Sequence, residues 1–230
     1  TAGGDTLIFQ LPPTGFLGDC FLEIGVAATG GGNWAANVGL AYPNRVRMLH
    51  SGQELVNYEY SAVSQVKFSR MRTEAVNRVY TASGGAAAGT ARRVYAPLWL
   101  PGSSLGHRDD EFTTPFPMFL SGEAIQLEID TRTVANILAS GGSGGSISSV
   151  KLVYFEWIVS DLEKQRIKSQ SNEWKLFIED YVTLNQTSVA TATLTTIDLT
   201  GFKNSLKSVA LAMVSVANAD TNHNYVLNSN

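Results

Sequence analysis

Cysteine, histidine and charge are all scarce in this chain, and each shortage removes a class of function. Cys20 is the sole cysteine, so no intrachain disulfide can form and the chain is not a small disulfide-built scaffold. Its setting on the alternating face Cys20, Leu22, Ile24 and Val26 reads as a buried small hydrophobe. The three histidines, His50, His107 and His223, are far apart and lack ligand-like spacing to Cys20, so no structural zinc site is expected. Lys and Arg number 17 against 20 Asp and Glu, a net charge of −3. The basic residues are dispersed, Arg70/Arg72 and Arg92/Arg93 being the tightest groups. No basic arm precedes the first strand, so direct contact with nucleic acid is not expected. The longest apolar run, residues 209–214, is much too short to span a bilayer, and no signal peptide is visible. Thr1 has no methionine before it, so an N-terminus that is processed, trimmed or incomplete is expected.

Familiar catalytic patterns are missing as well. His107, Arg108 and Asp109 have the order of a kinase catalytic loop but no phosphate loop before them or Asp-Phe-Gly after them. Ser103, Ser104, His107 and Asp109 lie too close together to be read as a triad. Glu156, Glu163, Glu173 and Glu179 read as outward strand or helix-surface residues rather than a hydrolytic pair. The glycine runs do not form a phosphate-cradling loop. Asn185, Gln186 and Thr187 make a glycosylation sequon, relevant only in a glycosylating compartment. No catalytic, cofactor-binding or metal residue is assigned, and no cofactor is expected.

What the chain does have is β signal. With 230 residues and 44% apolar content it can bury a substantial core. Its wealth of Thr, Ser, Val, Gly and Ala over Lys and Glu favours sheet. Residues 7–11 form a short strand ended by Pro12 and Pro13. Residues 19–26 alternate. In residues 44–49, Arg45 and Arg47 point outward against Val46 and Met48, before a turn at Ser51 and Gly52. Residues 95–100 are closed by Pro101 and Gly102. Residues 124–130 alternate most cleanly, with Ile125, Leu127 and Ile129 inward and Gln126, Glu128 and Asp130 outward. Residues 56–79 have helical spacing at Val63, Val66 and Arg70, but their Tyr and Val content leaves strand open as well.

Residues 150–182 are the most informative stretch. Val153, Phe155, Trp157 and Val159 recur at every second position and predict one wholly apolar strand face. Ser160 and Asp161 then form a helix N-cap pair, with Glu163 in the first turn and Lys164, Arg166 and Lys168 behind it. The two-residue period returns at Trp174, Leu176, Ile178 and Val182. Strand, short charged helix and strand are expected to open a second unit, in which Trp157 is a core anchor. Further strands are expected at residues 191–199 and 208–216. Residues 139–149, ASGGSGGSISS, read as a flexible connector, and residues 82–90 as a long loop. The division predicted is residues 1–145 and residues 146–230, two tandem all-β units.

Four segments together carry a family likeness. Residues 8–26 (IFQLPPTGFLGDCFLEIGV) give a strand, a Pro/Gly turn with an acidic residue and a hydrophobic-Leu-Glu-Ile strand. Residues 34–60 place Gly39, Gly52, Gln53, Glu54, Tyr58 and Tyr60 in order. Residues 93–129 run from Pro97, Leu98, Trp99 and Leu100 through a Gly/Ser loop to Pro115, Phe116, Pro117 and Met118. With residues 150–182 added, the chain resembles the double jelly-roll major capsid proteins of large icosahedral, nucleocytoplasmic-type DNA viruses. It departs from them in its spread-out first turn, and in Gln126 and Glu128 where they usually have Tyr and His.

The resemblance implies two jelly-roll barrels, 1–145 and 146–230, the second incomplete and carrying a short helix after its first strand. It implies a structural, non-enzymatic virion protein assembled in the infected cell as homotrimeric, pseudo-hexagonal capsomers. Its partners would be neighbouring capsomers and minor capsid proteins, with an inner viral membrane nearby and the genome untouched. Residues 82–90 and 102–115 are candidate outer or intersubunit loops. The chain is then expected to be part of a longer subunit. Two other readings are a carbohydrate-binding β-sandwich using Trp34, Trp99 or Tyr42, and a minor capsid or spike protein on the same barrels.

Overall fold

The computed structural model describes residues 4–105, 115–139 and 141–170. Among these residues eight strands and four α-helices follow one another: β1 Thr6–Leu11, β2 Phe16–Val26, α1 Val38–Ala41, β3 Pro43–His50, β4 Gln53–Glu59, α2 Tyr60–Arg70, α3 Thr73–Ala82, β5 Arg92–Leu98, β6 Phe116–Pro117, β7 Ile125–Thr131, β8 Ile147–Trp157 and α4 Asp161–Gln170. Two sheets, antiparallel throughout, face one another. The first has the order β1-β7-β3-β4; in the second β2 lies between β8 on one edge and β5 and β6 on the other.

Alternation dictates which residues meet between the sheets. Ile125, Leu127 and Ile129 of β7 are fully buried, with Val46 and Met48 of β3 beside them. Cys20, Leu22, Ile24 and Val26 of β2 and Val94, Ala96 and Leu98 of β5 close the core from the other side. The β3–β4 hairpin turns at Ser51 (φ 49°) and Gly52 (φ 77°), where the left-handed conformation suits glycine. Residues 56–79 resolve into the end of β4 followed by α2 and α3. Phe68 of α2 meets Trp99 and Tyr80 edge-to-face at 5.8 and 5.4 Å, and the Trp99 indole donates to Ser64 Oγ at 2.8 Å. That packing explains a helix among Tyr and Val residues: the buried stripe outweighs their strand preference.

Three expectations are corrected. Residues 139–149 are not a flexible connector. Ser143 exchanges backbone hydrogen bonds with Gly30 and Gly31, at 3.0 Å from Gly30 N and 2.7 Å to Gly31 O, while Ala139 N–H donates to Asn33 O at 2.9 Å. Residues 82–90 are tied to the same place, through Thr29 N–H to Gly89 O at 2.9 Å and Trp34 N–H to Ala88 O at 3.1 Å. The glycines permit this close approach: a Cβ on Gly32 would lie 2.7 Å from Gly142 Cα. What reads as linker composition is a tight end closure of the sandwich.

Second, β8 does not open a new unit. It pairs antiparallel with β2 from Phe16↔Trp157 to Val26↔Ile147, with register shifts after Leu17 and before Val26. Hydrogen bonding therefore places residues 147–157 in the first sandwich, beyond the expected boundary at 145.

Third, the buried face of β8 is the opposite one. Ile147, Val150, Leu152 and Tyr154 meet the core, whereas Val153, Phe155 and Trp157 point away from it. Cys20 opposite Tyr154 and Leu22 opposite Leu152 set that parity. The helix expected after this strand is present as α4, capped as its sequence requires: Glu163 N–H donates to Ser160 Oγ at 3.3 Å. The strands expected at residues 174–182, 191–199 and 208–216 lie outside the described residues, as do His107, Asp109, Glu173, Glu179, Asn185 and His223.

Candidate interaction surface

The two outer faces of the sandwich differ in chemistry. On β1-β7-β3-β4 the outward side chains form a polar ladder. Arg47 Nη2 lies 3.0 Å from Glu128 Oε2 and 3.4 Å from Asp130 Oδ1. Thr6 Oγ1 donates to Asp130 at 2.6 Å and Gln126 Nε2 to Glu128 at 2.6 Å. Arg45 Nε donates to Asn57 Oδ1 at 2.7 Å, and Asn57 in turn to Glu54 at 2.9 Å. This is a solvated face, with Ile8 its exposed apolar exception.

The outer face of the other sheet is apolar at one end. Val153, Phe155 and Trp157 are 40%, 59% and 52% exposed, and Ile158 and Leu162 beyond them 84% and 79%. Phe21 of β2 stands beside Phe155, ring centroids 6.5 Å apart and edge-to-face. The Trp157 ring lies over Gly18, where any Cβ would collide with it. Toward the other end the face turns polar. Glu23 and Lys151 are paired in register, and the Tyr95 hydroxyl donates to Glu23 at 3.0 Å. That hydrogen bond, reinforced by the carboxylate charge, holds the tyrosine above the usual phenol range. An exposed apolar patch of this kind, bordered on one side by polar residues, marks a surface suited to a protein contact. Among the described residues no strand pairs with the outer edge of β8, so the surface offers backbone donors and acceptors along its rim too.

Among the described residues, those weighed for chemistry are held in structural contacts. Cys20 is buried, and burial, with the charge of Asp19 second, pushes its thiol up to about 12, far from a thiolate nucleophile. Ser103 and Ser104 give their hydroxyls to Asp19, at 2.9 and 2.8 Å, and the Ser104 N–H joins them at 2.7 Å. Asp19 thus anchors the start of the loop after β5. His50 Nε2 sits 3.1 Å from the Ser121 carbonyl oxygen. Glu156 accepts a hydrogen bond from Thr14, and Glu163 pairs with Arg166 on α4 at 3.6 Å. Among the described residues no three His, Cys, Asp or Glu side chains gather as metal ligands. Trp34, Trp99 and Tyr42 are buried, which withdraws from the surface the aromatics a carbohydrate module would need. The apolar surface itself was legible only in part: the alternation at Val153, Phe155 and Trp157 was visible, its direction was not.

No protein-family model matches the sequence, and no curated protein matches it. Solved structures do. The PBCV-1 protein VP54, as fitted into a cryo-EM reconstruction of the virophage Sputnik, superposes with TM-score 0.52 at 15% identity, over 72% of this chain and 41% of that one. The quasi-atomic model of the PBCV-1 virus capsid matches with TM-score 0.51 at 15% identity over the same shares, 72% and 41%. The STIV MCP matches more weakly, at TM-score 0.43 and 13% identity over 72% and 47% of the two chains. The chain therefore spans about two fifths of the PBCV-1 structures it matches. Among the described residues the eight antiparallel strands form a jelly-roll sandwich, the fold shared with PBCV-1 VP54.

Proposed function

We propose that this chain is a structural subunit of an icosahedral virus shell, working by packing rather than catalysis. The observation that carries the reading is the fold shared with the PBCV-1 capsid structures at TM-scores of 0.51–0.52. The low charge and the uncovered apolar face of β8 support it, since a subunit that lives against neighbours has less need of a solvated surface. The polar ladder of the other sheet then faces solvent or a wet contact. The subunit works as a homotrimeric capsomer that meets neighbouring capsomers and minor capsid proteins in the virion, assembled in the infected cell, near an inner membrane and away from the genome. The pairing of β8 with β2 supports a first sandwich that runs through β8.

Light scattering coupled to gel filtration tests the assembly. The expected mass is that of a trimer of the 24.8 kDa chain, seen by negative stain as a pseudo-hexagonal block. A monodisperse monomer at micromolar concentration and physiological salt overturns the capsomer.

A further inference from the structure

We infer that Lys151 selects which of two apolar faces β8 turns to the core, and so which one the protein presents to partners. This goes beyond the capsid reading and does not depend on it. In the fold Val150, Leu152 and Tyr154 meet the core, while Val153, Phe155 and Trp157 lie outside. Yet Ile147, at the start of the strand, is also buried, opposite Val26. Residues on one face of a strand share a parity, and Ile147 has that of Val153, Phe155 and Trp157. A continuous strand from Ile147 would therefore turn those three inward, together with Ser149 and Lys151.

One extra residue prevents this. Gly25 pairs with Ser149 and Val26 with Ile147, so Ser148 is left over as a bulge, and every residue after it changes face. The Ser148 hydroxyl donates to Gly25 O at 3.0 Å. A Cβ on Gly25 would lie 2.6 Å from the hydroxyl oxygens of both Ser148 and Ser149, so the bulge needs glycine opposite it. A bulge interrupts the ladder, and the gain that offsets it lies at Lys151. In the continuous strand Lys151 would stand opposite Leu22, which is fully buried, and its ammonium would lose its water there. With the bulge it is exposed and stands across from Glu23, a favourable pair of opposite charges. Glu156 is the charged residue of the inner parity, but it lies near the end of the strand, where Thr14 donates to it. Three large apolar side chains sit on each face, so the mid-strand ammonium decides between them.

Disulfide formation in two double variants, both on a Cys20→Ala background, reads the register. Phe21 pairs with Val153 in the fold; in the continuous strand it would pair with Leu152. Phe21→Cys with Val153→Cys should crosslink under mild oxidation. Phe21→Cys with Leu152→Cys should not, because those side chains point to opposite faces. Adding Lys151→Leu should reverse the preference, raising the second yield severalfold and lowering the first. Adding Lys151→Arg, which keeps the charge, should change neither. Reading only the monomer band of a non-reducing gel keeps crosslinks between copies out of the count. Yields that Lys151→Leu leaves unchanged overturn the inference. So does a rise in the second pair without a fall in the first, the sign of a strand that is loosened rather than turned. A Lys151→Leu chain that does not fold counts against it as well, since with leucine at that position either face closes the core.

Discussion

Replacing Trp34 by alanine should loosen one whole end of the sandwich. Trp34 is fully buried and touches all three segments that converge there. Its indole N–H donates to Ala27 O at 2.8 Å, and its backbone N–H to Ala88 O at 3.1 Å. The ring fills the space above Gly145, where a Cβ would lie 2.7 Å from it. Trp34→Ala opens a cavity and strands a carbonyl, at a cost of about 3–5 kcal/mol. For a chain of this size each kcal/mol lowers Tm by about 2–4 °C, so a fall of roughly 6–20 °C is expected. Trp34→Phe keeps most of the apolar volume and loses only the donor, costing about 1–2 kcal/mol. Guanidinium denaturation measures both. Limited digestion with a broad-specificity protease adds a local reading at residues 139–149. The wild-type chain should resist cleavage there and Trp34→Ala should be cut quickly. A loss below about 1 kcal/mol, or equal cleavage of the two proteins in that segment, would refute the knotted end and restore the connector.

Three further outcomes follow from the core and the surfaces. Cys20 should stay unreactive toward a disulfide reagent at pH 8 until the protein is unfolded. Because its thiol is raised from 9.0 to about 12 in the fold, the unfolded chain releases the proton first. Stability is therefore unaffected below pH 9 and falls as pH rises toward 12, which denaturant melts across that window would show. Asp19→Ala should cost about 1–3 kcal/mol by releasing Ser103, Ser104 and Leu105 together, whereas a melt unchanged from wild type would mean that the loop is held elsewhere. Arg47→Met should cost less than about 1 kcal/mol, since its pairs with Glu128 and Asp130 are partly solvated, and the difference should shrink in high salt.

The sequence was most readable where only one face of a strand is apolar. In β7, Ile125, Leu127 and Ile129 alternate with Gln126, Glu128 and Asp130, so parity and burial coincide; β3 is the same with Arg45 and Arg47 outside. In β8 both parities are apolar, Val150, Leu152 and Tyr154 against Val153, Phe155 and Trp157. Nothing local says which set faces the core. Pairing with β2 decides it, and that pairing joins residues more than a hundred positions apart. The glycine-rich stretches misled for a related reason. Composition reports that a backbone is free to bend, not that another backbone lies against it. The interaction surface was thus visible as residues and hidden as a surface.

The closure around Gly31 and Ser143 has a bearing on how much substitution the fold tolerates. Its bonds run from peptide to peptide, so they are indifferent to most side chains and ask only that the residues be small. A junction of that kind can be kept through long drift while the letters around it change, as amide groups are common to every sequence. A fold shared at 15% identity does not need particular side chains to close its end in this way.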